Sequence, residues 1–309
     1  MYDKVKFWVD RGYIREQYNA VVNSLENAKI IDESKANKGV KIYGNLGNLK
    51  IGAFENGLFV AGSLPKYLYG NNVCTLNRHT AKNAIEKIED DLHFSLEDAL
   101  ITEIEFGSTF VMQNKVEDYL VRLGNVPRLG KHQVNPSSLY YQGQGGRPPK
   151  TLAFYDKGVE MDARGVDNPI DANLLRYEMR YRGRLAKQFK TSKITASTLS
   201  EESFYRDMVS LYQDNYFKIP KQGQMINAMK DIKTVSDAYN LLVSQMISQL
   251  GADQIDAYLA ELKQAGVFED RKNYSRLKSK IAKVATSSNE DDCLIRELDD
   301  EIKNCGAYV

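Results

Sequence analysis

The hydrophobic period of this 309-residue chain changes once along its length, and that change constrains the fold more than any single motif. From residue 1 to about 190, apolar and polar residues alternate in short runs bounded by Gly, Asn and Pro, the pattern of half-buried strands. Residues 5–9, 49–54 and 57–61 are such runs, and residues 101–110, 151–157 and 174–181 read as central strands. Helical spacing interrupts them at 81–92, where Ala84, Ile85, Ile88 and Leu92 share one side, and more briefly at 115–123. After residue 195 the strand signal nearly vanishes. Segments 200–212, 234–250, 252–265 and 273–284 predict amphipathic helices, with Gly251 and Gly266 where helix C-terminal caps are expected. The expectation is an α+β protein: a sheet-centred domain over residues 1–192 and a helical domain over 193–309, joined somewhere between 190 and 225.

Composition narrows the class. Lys and Arg number 42 against 41 Asp and Glu, so net charge says nothing of a nucleic-acid partner and distribution must carry that argument. Cys74, Cys293 and Cys305 have no CxxC spacing and cannot all pair, which argues against a zinc knuckle or a disulfide framework and suits a reducing cytoplasm. The first ten residues lack the apolar stretch of a signal peptide, and no segment reaches about 18 consecutive apolar residues, so a cytoplasmic protein without a membrane span is expected.

The chemistry-bearing residues lie on the three central strands. Period-2 geometry puts Tyr155 and Lys157 on one face, offering a nucleophile and a cation together. A tyrosine attacks a phosphodiester when a metal or cation stabilises the phosphoryl oxygens and a neighbour removes the phenolic proton. Glu103 and Glu105 alternate with apolar residues, and Glu178 shares its face with Arg176, Arg180 and Arg182. If the apolar sets pack under helices, these charges line an open face. Carboxylates gathered there, with Glu160 just past the tyrosine strand, could bind Mg²⁺ or Mn²⁺, which favour oxygen ligands; the plain alternative is a solvated face of ion pairs. His79, His93 and His132 are isolated and form no metal-binding pair, so any metal site must be mainly carboxylate.

Residues 121–190 hold 13 Lys and Arg against 6 Asp and Glu. Within that surplus, Arg147 and Lys150 sit in or beside a Gly/Pro-rich loop before the tyrosine strand. Arg176, Arg180, Arg182 and Arg184 are interleaved with Tyr177 and Tyr181, with Phe189 just beyond. The mixture suits phosphate contact with base stacking; a solvated basic edge is the alternative.

In order and separation these motifs resemble the gene II/gene X replication proteins of filamentous phages. The matching segments are Ile-Thr-Glu-Ile-Glu at 101–105, Phe-Tyr-Asp-Lys-Gly-Val-Glu at 154–160 and Leu-Arg-Tyr-Glu-Met-Arg at 175–180. The opening Met-x-Asp and residues 62–72 also resemble that family, and the likeness covers roughly residues 1–190. It implies a tyrosine nicking domain with Tyr155 as nucleophile, Lys157 beside it and acids at Glu105, Glu160 and Glu178, where Glu105 replaces the commoner Asp. It further implies a rolling-circle initiator that cuts origin DNA, single-stranded at the nick, and leaves a 5′-phosphotyrosine and a 3′-hydroxyl for a host polymerase and helicase. A non-catalytic replication or copy-number regulator, and a relaxase- or transposase-like strand transferase, are the rival expectations. The basic stretch 271–280 after residues 259–268 reads equally as a helix-turn-helix-like DNA reader or an accessory bundle. Oligomeric state is not legible in the sequence.

Overall fold

Alternation in the first two thirds of the chain becomes one antiparallel sheet. In the computed structural model, which describes residues 1–14, 18–19, 40–143, 148–166, 170–221, 232–286 and 293–306, the described residues form nine strands. These are β1 Tyr2–Asp10, β2 Val40–Leu46, β3 Leu49–Phe54, β4 Gly57–Ser63, β5 Leu100–Met112, β6 Gly130–Asn135, β7 Ser138–Gln142, β8 Lys150–Asp156 and β9 Asn173–Arg182. Their spatial order is β2-β3-β4-β1-β5-β9-β8-β7-β6. Tight hairpins build the β2-β3-β4 half, and Gly47, at φ 59, supplies the left-handed residue of the β2–β3 turn. The helices are α1 Arg11–Ile14, α2 Leu64–Tyr69, α3 Arg78–Leu92, α4 Val116–Leu120, α5 Lys157–Asp162, α6 Leu185–Gln188, α7 Glu202–Phe217, α8 Val235–Gln264, α9 Lys272–Thr286 and α10 Cys293–Asn304. None of the described helices is long and apolar enough to cross a membrane.

One sheet face carries the core. Phe106 on β5, Leu152 and Phe154 on β8, and Tyr177 and Met179 on β9 are buried, and α7 brings Tyr205, Met208, Tyr212 and Tyr216 into the same core. The Tyr177 ring lies between Phe154 and Tyr212, with centroids 4.3 and 4.2 Å away. The Tyr177 hydroxyl donates to the Tyr212 carbonyl at 3.1 Å, and the Tyr212 hydroxyl donates to the Tyr177 carbonyl at 3.0 Å. That exchange satisfies two phenols in an apolar layer, where an unpaired hydroxyl would be costly.

The structure departs from the sequence reading at one glycine here. Gly251 does not end a helix, because α8 runs unbroken from Val235 to Gln264; an interior glycine costs about 1 kcal/mol relative to Ala without forbidding the helix. Gly266 does follow the helix end, at φ 62. The chain forms two compact units, with the change after Lys218 falling inside the 190–225 connection. One comprises Met1–Leu120, Val126–Lys218 and Glu301–Val309, the other Val121–Asn125 and Ile219–Asp300. The strand period stops near residue 182, but the aromatic side of α7 belongs to the sheet's core.

Candidate active site

The strand registers set the polar side chains of the opposite face in rows. Thr109 on β5 stands opposite Arg176 on β9, which stands opposite Tyr155 on β8. In the next row Gly107 pairs with Glu178 and Glu178 with Ala153; beyond it, Glu105 pairs with Arg180 and Glu103 with Arg182. Gly107 is required by this packing. A Cβ there would lie 2.4 Å from the Tyr177 carbonyl oxygen and 2.5 Å from the Glu178 Cβ. Small residues on both sides thus leave Glu178 in a notch between its neighbouring strands.

Glu178 is 1% exposed and takes donors on both oxygens. Its Oε2 accepts from the Tyr155 hydroxyl at 3.2 Å and from Arg176 Nε at 3.3 Å. Its Oε1 lies 2.6 Å from both Arg180 Nε and Arg180 Nη2. Arg176 is wholly buried and anchors the other side: Nη2 donates to Asp3 Oδ2 at 2.6 Å, and Nη1 to Thr109 Oγ1 at 3.0 Å and to the Asn72 carbonyl at 3.3 Å. Asp3 also accepts from Ser63 Oγ at 2.5 Å and Asn72 Nδ2 at 3.0 Å. A register shift between Tyr2 and Val5, where β1 meets β5, accompanies the placement of Asp3 in this network.

Burial raises the Tyr155 phenol well above its ordinary value, and the Glu178 charge adds to that, against Arg176 and Arg180. Burial likewise pushes Glu105 up to about 7, with Glu178 adding to the rise and Arg180 and Lys4 opposing it. For Asp3, burial works upward, but Arg176, Ser63 and Asn72 outweigh it and hold the carboxyl below its usual range. Burial also works against the Arg176 and Arg180 charges, yet the surrounding acids keep both guanidiniums more firmly protonated than usual.

The expected site residues divide into three groups. Tyr155, Glu178, Glu105, Arg180 and Arg182 meet on the face opposite the core, which is not open as the sequence suggested: Tyr155 and Glu178 are buried, and only Arg180 and Arg182, 26% and 28% exposed at the side chain, lead out to solvent. Lys157 and Glu160 do not continue the strand. Asp156 ends β8 and caps α5, accepting from the Val159 amide at 3.0 Å, and Lys157 opens the helix with its ammonium on Glu160 Oε2 at 2.6 Å and Asn72 Oδ1 at 3.0 Å. Burial lowers the Lys157 ammonium, and Glu160 only partly offsets it. The other oxygen of Glu160 lies 2.7 Å from Arg164.

The third group lies off this exit to solvent or beyond the described residues. Arg176 has no exposed surface for a phosphate and is an internal anchor. Lys150 belongs to the helix-covered side, where it donates to Asn215 Oδ1 at 2.8 Å. Tyr177 and Tyr181 are buried and cannot stack on bases. Arg184 is exposed in the connection after β9, and Arg147 lies outside the described residues. Sequence reasoning assigned no role to Asp3, Asn72 or Thr109, although Met-x-Asp and residues 62–72 stood out as segments.

The acids expected to bind a divalent ion are engaged by protein groups, with Glu105 3.9 Å from Arg180 and 4.0 Å from Arg182. Glu178 already receives four contacts from Tyr155, Arg176 and Arg180, and Glu160 is held by Lys157 and Arg164. Among the described residues no three His, Cys, Asp or Glu side chains are placed to share a metal ion.

Residues 1–201 match the Phage_CRI family model, which describes the N-terminal part of a replication-associated protein. Among solved structures, the chain is similar to the rolling circle replication initiator protein from Geobacillus stearothermophilus, with a TM-score of 0.35 and 13% identity, covering 71% of this chain and 84% of that one. No curated protein matches it.

Proposed function

The chain belongs to the Phage_CRI family of replication-associated proteins, and from that premise we propose that it initiates rolling-circle replication by cutting one strand of origin DNA with Tyr155. The observation that carries the reading is the Tyr155 hydroxyl donating to the buried Glu178 carboxylate at 3.2 Å, with Arg180 beside it on the same face. A phenol with a raised pKa is a poor nucleophile by itself, so proton removal must accompany attack. Tyr155 Oη bonds to the scissile phosphorus while its proton passes to Glu178 Oε2. The bond from phosphorus to the 3′ oxygen breaks, that oxygen takes a proton from water, and the products are a 5′-phosphotyrosine and a free 3′-hydroxyl. Arg180 offsets the charge that develops on the phosphoryl oxygens. The hydroxyl then primes a host polymerase while a host helicase unwinds ahead.

The test is a denaturant-stable protein–DNA adduct formed on supercoiled or single-stranded origin DNA. Tyr155→Phe is expected to abolish the adduct and to keep DNA binding. Persistence of the adduct moves the nucleophile to another tyrosine, Tyr140 first, because its ring lies 5.7 Å from the Arg180 guanidinium on the same face. Origin binding by the wild type without any nick would leave a non-catalytic regulator. Repeating the assay with chelator, then with Mg²⁺ or Mn²⁺ restored, reads out metal dependence.

A further inference from the structure

The same face continues past the buried candidate site onto the β2-β3-β4-β1 half, where it becomes partly exposed and changes character. Tyr43, Phe54, Phe59 and Trp8 share that face by register and are all partly exposed. Their rings form a chain, with centroids 6.2 Å apart for Tyr43 and Phe59, 6.0 Å for Phe54 and Phe59, and 6.0 Å for Trp8 and Phe54. Two glycines let the rings lie down on the sheet. A Cβ at Gly52 would meet the Phe59 ring at 2.3 Å, and one at Gly57 would meet the Trp8 indole at 2.9 Å. A ring laid over a glycine keeps its second π face turned away from the backbone. Partly exposed aromatics on a β-sheet face are otherwise a cost to solubility, which points to a ligand with flat apolar surfaces.

Cations link this patch to the tyrosine. Arg180 and Arg182 lie on β9 and Lys6 on β1; Glu103 stands between Lys6 and Arg182, 3.9 and 3.6 Å from them, and the Lys6 ammonium is 5.0 Å from the Phe59 ring centroid. Strand spacing near 4.8 Å and a rise near 3.3 Å per residue put Trp8 roughly 30 Å from Tyr155, measured diagonally across the face. Guanidiniums and an ammonium leading from a phosphate-cleaving group to flat rings match the alternation of charge and base in a single strand.

We infer that Trp8 and Phe59, with Tyr43 and Phe54 beside them, form a stacking platform for unpaired bases of the DNA strand flanking the nick, with Arg182 and Lys6 tracking its phosphates. The inference rests on the nicking reading for the direction of the strand, but it can fail separately. Trp8 is the single tryptophan of the chain, so its emission reports the platform directly.

The experiment titrates the full chain with an oligothymidylate of about 16 nucleotides, within single-strand site sizes, following Trp8 emission and, separately, the anisotropy of a dye on the DNA. Both signals are expected to move together, with indole emission quenched by the stacked base. A duplex of equal length is expected to leave the emission unchanged. Phe59→Leu keeps an apolar side chain but removes the π face, and should weaken oligothymidylate binding roughly tenfold, the effect of one lost stacked base. Anisotropy that reports binding while Trp8 emission stays constant overturns the platform, as does an unchanged Kd in a folded Phe59→Leu. Quenching by a chain that forms no adduct sustains the platform and counts against the nicking reading. An adduct without quenching does the reverse.

Discussion

Glu105 is the residue whose charge state is most finely balanced. Its carboxyl is raised to about 7 by burial first and by Glu178 second, against an ordinary value of 4.5. A carboxyl with a higher pKa folded than unfolded binds its proton more tightly in the folded state. Its contribution is therefore full below about pH 4.5 and is lost as pH rises through about 7. Glu105→Gln mimics the protonated form at every pH. Its melting temperature relative to wild type should rise between about pH 5 and pH 8; an equal difference at both values would show that the carboxyl titrates normally. The side of the sheet that Tyr155, Glu178 and Glu105 take was legible in the sequence, because strand alternation fixes it. Asp3 was not legible, since its role depends on Arg176, 173 residues away. Lys157 was misplaced because Asp156 ends the strand by capping a helix, and period-2 counting stops at a cap.

At the scale of elements, the site depends on how closely β5 and β9 approach. A Cβ at Gly107 would meet backbone, with the Tyr177 oxygen 2.4 Å away and the Glu178 Cα 2.6 Å away, so a larger residue must push the two strands apart. Gly107→Ala should cost on the order of 1–3 kcal/mol in denaturant unfolding, as overpacking does. Gly143→Ala, with nothing within 4 Å of the added carbon, should be neutral. Comparable losses in the two variants would sink the steric account. Strands β5, β8 and β9 were readable because apolar residues facing the helix-covered core alternate with polar ones; on β8 and β9 the polar face is buried as well, within its own ion-pair network. The β6–β7 hairpin was missed: β6 is an edge strand whose residues are largely exposed, so burial writes no period into it. Leu139 and Tyr141 on β7 were the available signal.

For the whole molecule, the grouping of residues 193–218 with the sheet's unit has a measurable consequence. A fragment of residues 1–192 lacks α7 and would leave Phe106, Phe154 and Tyr177 without Tyr205, Tyr212 and Tyr216. It should bind hydrophobic dye and melt without a cooperative transition, whereas the full chain melts cooperatively; a sharp fragment melt near the full-length temperature would show that residues 1–192 fold without α7. The position of β9 between β5 and β8 also carries a consequence in time. During synthesis β1 to β5 can pair as they emerge, but β5 keeps an open edge until residues 173–182 arrive, and contacts so distant in sequence form slowly. Tyr155 leaves the ribosome before Arg176 and Glu178 do. A nascent chain therefore holds the tyrosine without the groups that would activate it, and the proposed ability to break DNA arrives only when the ninth strand closes the sheet.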